Sequence, residues 1–361
     1  MPVSQTIVYN DVNALVQDYV APTIEKQIFT STAFLYRAQK NIKWFTGGRQ
    51  IRHNLAWRDP QSGGWFSGND VLDTTKRDLL DAATFTPKNA HANITLYWED
   101  EQAVKGPEMM QSLMETQSEI AEESMRRTID GDLYNDGSNV KAIGGLRHAL
   151  RAFTGTAPGV LPANTYGGIT RQGRYDGSGG GTQTNTWWIH NGDNTAYDTA
   201  AAAGATCFNP TVQLAIAGVL GKIWAQIGIN SSKRPSMILS NWGAYTAYHN
   251  SLLLNDRSIH PPQQNNDLAR MGFEHVMYKN AAWVVDEQAP RTSAKIEQIY
   301  FINEKTVRLY VDKAANFTWT GFRTPHNQML KVGYLLWRGE ICIVEPRANG
   351  VISSVDTSSV S

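Results

Sequence analysis

Apolar residues recur at three- and four-residue steps between Gly106 and Tyr134. Met109, Met110, Leu113, Met114, Ile120, Ala121 and Met125 form one stripe, which predicts an amphipathic helix. Gly106 suits the N-cap, Pro107 the first helical position and Glu108 the positive end of the dipole. Glu122 with Arg126 and Glu123 with Arg127 are i,i+4 pairs in the favourable order on the wet side. Asn135-Asp136-Gly137 supplies the stop, with Gly131 loosening the last turn. At about 1.5 Å per residue the helix is roughly 40 Å long, far beyond the usual three or four turns. Ile129 and Leu133 lie progressively around its barrel from Met110, so its two ends face different neighbours. It is either the central helix of an ordinary domain or a spine spanning a thin, plate-like subunit.

From Trp44 to Trp98 the period changes to two. Ile51, His53, Leu55 and Trp57 alternate with Arg52, Asn54, Ala56 and Arg58, and on the return side Ile94, Leu96 and Trp98 alternate with Thr95 and Tyr97. Between them lies a long turn-rich tip with Pro60, Gly63, Gly64 and Gly68 around Trp65 and Phe66. Long loops of this kind are uncommon inside compact domains and usually functional, and a two-stranded arm alone is marginal in water. The tip is either a mobile surface hairpin or an arm ordered by lying across another subunit, with Trp65 and Phe66 as anchors.

Upstream, Val12, Leu15, Val16 and Tyr19 step at helical spacing, and Ile24, Ile28 and Phe34 follow Pro22; this apolar terminus needs a surface to lie on. Residues 151–208 are rich in Gly, Thr and Asn and read as surface loops and short strands, not core. A helix opens at Asn209-Pro210 and closes at Gly228, then a buried strand (Met237, Ile238, Leu239) precedes a helix from Asn241 to Leu254. Strands follow at Ala282–Val285, Ile299–Ile302 and Thr306–Val311. A long run from Met329 to Val344 is interrupted at Gly333 and Gly339, and the tail VISSVDTSSVS reads as polar and disordered. The class is α+β or α/β.

The chain has 361 residues, with 33 Lys plus Arg against 33 Asp plus Glu. No global field points to nucleic acid or an acidic partner. Cys207 and Cys342 lie far apart in apolar surroundings, the pattern of free buried thiols in a reducing compartment. The start MPVSQTIVYNDV has no basic or apolar signal region, and no run of 18 apolar residues occurs, so a soluble product without a leader or propeptide is expected. Eleven Trp and 14 Tyr suit large contact surfaces.

Catalytic and ligand-binding patterns fail one by one. The glycines at 177–181 neither follow a strand nor open a helix, as a phosphate loop requires. Asp130-Gly-Asp132-Leu-Tyr134-Asn-Asp136-Gly137 places Tyr134 at a calcium-ligand position and Ile143 where the closing Glu belongs, so it reads as a helix terminus. No His pair or Cys/His spacing suits a metal. Ser138-x-x-Lys141 lacks the companion motifs of a β-lactamase. Glu99-Asp100-Glu101 is an acidic approach to the long helix, or a salt-bridging site for a neighbour's cations. No enzyme, catalytic residue, cofactor or metal is expected.

The order of arm, two-stranded loop, spine helix, Gly-Leu, compact domain and long returning strands resembles the tailed-phage major capsid protein family, the HK97 fold. ATFTPKNAHANITLYWEDEQ leads into the helix like that family's returning loop strand. IGGLR at 143–147 stands where the family carries Gly-Leu, and TYGGITR at 165–171 with Trp187 and Trp188 is similar to a stretch in one branch of phage capsid proteins. PSMILSNWGAYTAYHNSLL and QMLKVGYLLWRGEICIVEPRA resemble the axial-domain strand and helix and the closing peripheral strands.

The resemblance implies an N-terminal arm (1–45), an extended loop (46–98), a peripheral domain with the spine helix (99–150), an axial domain (151–305), and returning peripheral strands with the tail (306–361). It implies a virion shell, assembled in the host cytoplasm from hexamers and pentamers of this chain around double-stranded DNA. Portal, decoration and separate scaffold proteins are partners the family admits, and no membrane is involved. The expected inter-subunit contacts are Trp57, Arg58, Trp65, Phe66, Lys76, Arg77, Glu99, Asp100 and Glu101. Some members cross-link a loop Lys to a peripheral Asn beside a Glu. Here Lys76 is in the loop, but Met329 stands where the Asn is expected, Asn327 is offset, and no Glu precedes Glu340 in that strand, so cross-linking is not expected. The alternatives are an encapsulin-like compartment around a cargo enzyme, and an unrelated carbohydrate-binding surface protein.

Overall fold

A computed structural model describes residues 33–58, 65–71, 78–99, 107–153, 160–174, 182–193, 210–253, 275–293 and 296–356. In chain order the first elements are α1 (Ala33–Lys40), β1 (Ile42–Phe45), β2 (Ile51–Ala56), β3 (Leu80–Phe85), β4 (Lys88–Tyr97), α2 (Pro107–Asp132) and α3 (Leu146–Ala149). Next come β5 (Leu161–Tyr166), β6 (Ile169–Gly173), β7 (Asn191–Asp193), α4 (Pro210–Ser231), β8 (Met237–Ser240) and α5 (Trp242–Leu253). The last are β9 (His275–Tyr278), β10 (Ala281–Val285), β11 (Arg291–Ser293), β12 (Ile296–Ile302), β13 (Val307–Asp312), β14 (Thr318–Trp319), β15 (Leu330–Ile343) and β16 (Gly350–Asp356).

The expected spine is α2, a single helix of 26 residues. Ala121, Met125 and Ile129 are buried at four-residue steps, and Leu133 continues the line just past the helix end. Ile120, expected in the stripe, is instead half exposed, because the buried line follows the i±4 row and Ile120 sits one residue off it. The Arg126–Glu122 pair forms at 2.5 Å on the wet side. The side chains of Met109 to Met114 lie outside the described residues. Behind the helix, Gly145 is obligatory: a Cβ there would lie 2.3 Å from the Asn135 nitrogen and 2.5 Å from the Leu133 oxygen. That closeness lets Leu146 bury completely and donate its N–H to the Leu133 oxygen at 2.6 Å.

Two larger sheets organise the rest. In one, β15 pairs with β13, β14 and β4, and β1 joins parallel to β13. The β4–β15 ladder is ten residues long, from Leu330↔Tyr97 to Gly339↔Lys88. The other sheet has the order β7-β16-β12-β8-β10-β9, with β11 also on β12. Met237 and Leu239 of β8 face the core shared with α2, while Ile238 faces a second core with α4 and α5. A strand covered on both faces is apolar at successive positions, which is why MILS is buried throughout.

Four expectations are corrected here. β15 is a single strand of 14 residues; Gly333 and Gly339 do not interrupt it. The Trp319 ring lies over Gly333 and the Trp337 ring over Gly339, each occupying the space a Cβ would take. Helix α4 likewise runs past Gly228 to Ser231, because the Arg234 guanidinium fills the place of a side chain there and donates to the Trp224 carbonyl at 2.8 Å. The tail is not disordered through Asp356: β16 lies between β12 and β7, with Val351, Ile352 and Val355 buried. The 151–208 stretch contributes core, since Leu161, Tyr166, Arg171 and Trp188 are all fully buried. Cys342 is a free, buried thiol, and Cys207 lies outside the described residues.

Candidate assembly surface

The arm expected from the alternating pattern is a hairpin of β2 and β3, paired from Ile51↔Phe85 to Ala56↔Leu80. The return strand is therefore Leu80–Phe85, part of it in the stretch read from sequence as tip. Ile94 and Leu96 lie on β4, which leaves the arm to join β15. Trp98, read as the last inward residue of that strand, lies beyond it and is half exposed.

The base of the hairpin is held from several sides. Leu55, Ala83 and Phe85 are buried, and the His53 ring sits 6.0 Å from Phe85 and 5.4 Å from Tyr310. The Thr84 N–H donates to the Gly167 oxygen at 2.8 Å. Gly167 and Gly168 adopt positive φ of 62° and 78° in the β5–β6 turn, a conformation that favours glycine. They also admit the arm closely: a Cβ on Gly167 would lie 3.0 Å from Ala83, and one on Gly168 2.9 Å from the Thr84 hydroxyl. Thus the paired glycines of TYGGITR form a seat for the arm.

Buried polar bonds fix that seat. Arg171 donates to the carbonyls of Ala149 at 2.6 Å, His148 at 3.1 Å and Trp188 at 3.1 Å, and to Asn164 Oδ1 at 3.1 Å. Its guanidinium lies 5.1 Å from the Tyr166 ring. The Trp188 indole donates to the Tyr166 carbonyl at 3.0 Å, and the Tyr166 hydroxyl accepts the Ile343 N–H at 2.9 Å. Burial pushes Arg171 down to about 10, still well above neutral pH. At the near end, Arg338 donates to the Gly48 carbonyl at 2.7 Å and pairs with Asp312 at 3.1 Å.

Outward from this base the anchoring fades. Trp57 stacks on Trp187 with centroids 5.6 Å apart, and the Arg58 guanidinium lies 5.8 Å from the Trp57 ring. Trp65 is wholly exposed and Phe66 is 70% exposed. Ser67 and Asp70 close a tight turn beside them, the Asp70 carboxylate accepting the Ser67 N–H at 2.8 Å and the Asp70 N–H donating to the Ser67 oxygen at 2.9 Å. Two large aromatics thus stand in solvent beside a hydrogen-bonded turn. Lys76, Arg77, Asp100 and Glu101 lie outside the described residues, and Glu99, two residues past β4, is exposed. Among the described ones, Trp57 and Arg58 lie next to the base and Trp65 and Phe66 at the tip.

A second exposed apolar zone escaped sequence reading. Tyr334 and Leu336 of β15, Tyr97 at the end of β4, Trp98 just beyond it, and Met329 are all solvent-facing. The signal was present in Tyr334-Leu335-Leu336-Trp337: an unbroken apolar run means both faces of a strand are apolar, and only that of Leu335 and Trp337 is covered here. Between α2 and β4 a groove of about 350 Å³ is lined by Ile94, Gln117, Ile120, Ala121 and Met125.

Elsewhere, Asp130 and Asp286 are buried as a pair at the end of α2, and the Tyr134 hydroxyl donates to Asp286 at 2.9 Å. Burial, then the neighbouring carboxylate, pushes Asp130 up to about 8. Burial raises Asp286 to about 6, against the bond from Tyr134. Among the described residues no group of three or more His, Cys, Asp or Glu side chains is placed to hold a metal.

No family model and no curated protein matches the chain. Solved structures do. The cyanophage A-1(L) capsid aligns with a TM-score of 0.62 and 12% identity, over 95% of this chain and 98% of the other. The capsid of the native GTA particle aligns at 0.59 with 11% identity, over 96% and 98%. The SrpI encapsulin of Synechococcus elongatus PCC 7942 aligns at 0.55 with 10% identity, over 97% and 96%. The chain has the HK97-type α+β fold over nearly its full length, as its sequence resemblance implied.

Proposed function

We propose that the chain is a shell subunit, a major capsid protein that closes with copies of itself into an icosahedral container for the double-stranded DNA of a tailed phage. The observation that carries this reading is the two-ended hairpin. Its base is fixed by the Gly167-Gly168 seat, while its tip holds Trp65 and Phe66 in water on an ordered turn. Large exposed apolar groups are the composition of an interface centre. A closed shell supplies each such surface with a partner patch.

In this reading residues 1–45 are the arm, 46–98 the extended loop, 99–150 with 306–361 the peripheral part and 151–305 the axial domain. The role is assembly, without catalysis. Hexamers and pentamers form in the host cytoplasm and persist in the virion. The likeness to an encapsulin supports the neighbouring reading, a compartment around a protein cargo.

The contents of the particle separate the two. Particles from the natural source are treated with nuclease, opened and analysed. Protected double-stranded DNA is the expected result; a single co-purifying folded protein in place of nucleic acid assigns the compartment instead.

A further inference from the structure

A cavity of about 530 Å³ opens past the C-terminal end of the spine helix, lined by Asp136, Arg147, His148, Arg151, Asn164 and Gln298 among others. Arg147 lies on α3 and Arg151 two residues past its end, after the non-helical Leu150, and both line this one cavity. Among the described residues no hydrogen bond or ion pair engages either guanidinium. Asp136 is the only carboxylate among the described lining residues; it accepts the Ser138 N–H at 2.9 Å, and the bonds from Ser138, with a smaller part from the Arg147 charge, hold its carboxyl below the ordinary value.

Buried Arg171 adds a third positive charge, donating to Asn164 Oδ1 and to the His148 carbonyl. That bond fixes the amide of Asn164, leaving its buried Nδ2 a donor without a partner among the described residues. His148 Nε2 faces the Thr165 carbonyl at 2.9 Å, so it carries the proton and Nδ1 can take a second one when negative charge arrives. The surroundings register the excess of cations. His148 is held below its ordinary value by burial, and then by Arg171 and Arg151 against the Thr165 bond and Asp136. Arg151 adds to the lowering that burial imposes on Arg171.

We propose that this cavity is a phosphate-binding site, taking a phosphate monoester or one phosphodiester unit between Arg147 and Arg151. Paired guanidinium forks match the oxygens of a phosphate, and the volume lies within the range of small-molecule pockets. The site goes beyond the shell reading and does not depend on it, so its failure would leave that reading untouched.

Calorimetric titration of the full chain in phosphate-free buffer tests it, first with inorganic phosphate, then with thymidine decamers with and without a 5′-phosphate. Saturable phosphate binding is expected, weakened at least tenfold in R147Q/R151Q and changed less than twofold in R323Q, an exposed arginine elsewhere. R147K/R151K keeps the charge without the fork and is expected to lose affinity to a smaller degree, which guards against a folding artefact. Tighter binding of the phosphorylated decamer supports a monoester site; equal binding of both decamers supports a phosphodiester site. Absence of saturable phosphate binding, an equal loss in R323Q, or binding only of an acidic peptide spanning residues 98–102 would overturn the proposal.

Discussion

The base and the tip of one hairpin follow opposite rules. At the base, Leu55, Ala83 and Phe85 are buried and Thr84 is bonded to the Gly167 turn. At the tip, Trp65, Phe66 and Val71 are exposed although each is as apolar as the residues below. Burial stabilises the single subunit; apolar area left in water stabilises nothing until a second surface covers it. In the proposed shell the base of this hairpin would serve folding and its tip association.

Breaking the base is expected to have the largest effect on the subunit. Phe85→Ala removes a ring packed against Tyr166 at 5.3 Å and lowers unfolding free energy by about 3–5 kcal/mol, read by urea denaturation. Gly167→Ala adds a Cβ at positive φ against Ala83, and a loss of about 1–3 kcal/mol is expected in the same assay.

Protonation probes the end of α2, away from the hairpin's own contacts. Asp130 is raised to about 8 in the folded chain from an ordinary 3.8, so the native state holds a proton that the unfolded chain has released. That contribution is complete below about pH 4 and is lost as pH rises through about 8. Asp130→Asn, which needs no proton, is expected to be more stable than the parent at pH 9 by more than about 1 kcal/mol. A parent whose urea midpoint holds level from pH 5 to 9, with no gain in the variant, contradicts this.

At the tip the expectation reverses. Trp65→Ala with Phe66→Ala is expected to change subunit stability by no more than about 0.5 kcal/mol and to impair particle formation in sedimentation; normal particles would remove the anchoring role. The smallest effect is expected from a short insertion between residues 176 and 180. Its flanks are pinned by the Gln172↔Thr184 bridge and by Gln183, which accepts the Arg174 N–H at 2.9 Å. Loss of assembly after such an insertion would count against that tolerance.

What the sequence disclosed followed from local periodicity. The spine helix, the alternation of Ile51 to Leu55 and the buried MILS strand each record their surroundings in a repeat of 3.6, 2 or 1. What it hid depends on distant partners. The polar text of VISSVD conceals a central strand, because its few apolar positions meet β12, which precedes it by some 50 residues. Gly333 and Gly339 read as breaks until the tryptophan rings above them are known. The strand Leu80–Phe85 was hidden for the same reason, since its pairing with β2 spans a long connection. At the candidate surface, Trp65 and Phe66 were legible as aromatics in a turn-rich segment. Tyr334 and Leu336 were not, because exposure on one face of a strand is decided by what covers it.

Negative-stain imaging of the purified full-length protein tests the central claim most directly. The account predicts closed, icosahedral particles built from this chain; a field of separate 40.1 kDa molecules that sediment as monomers would contradict it.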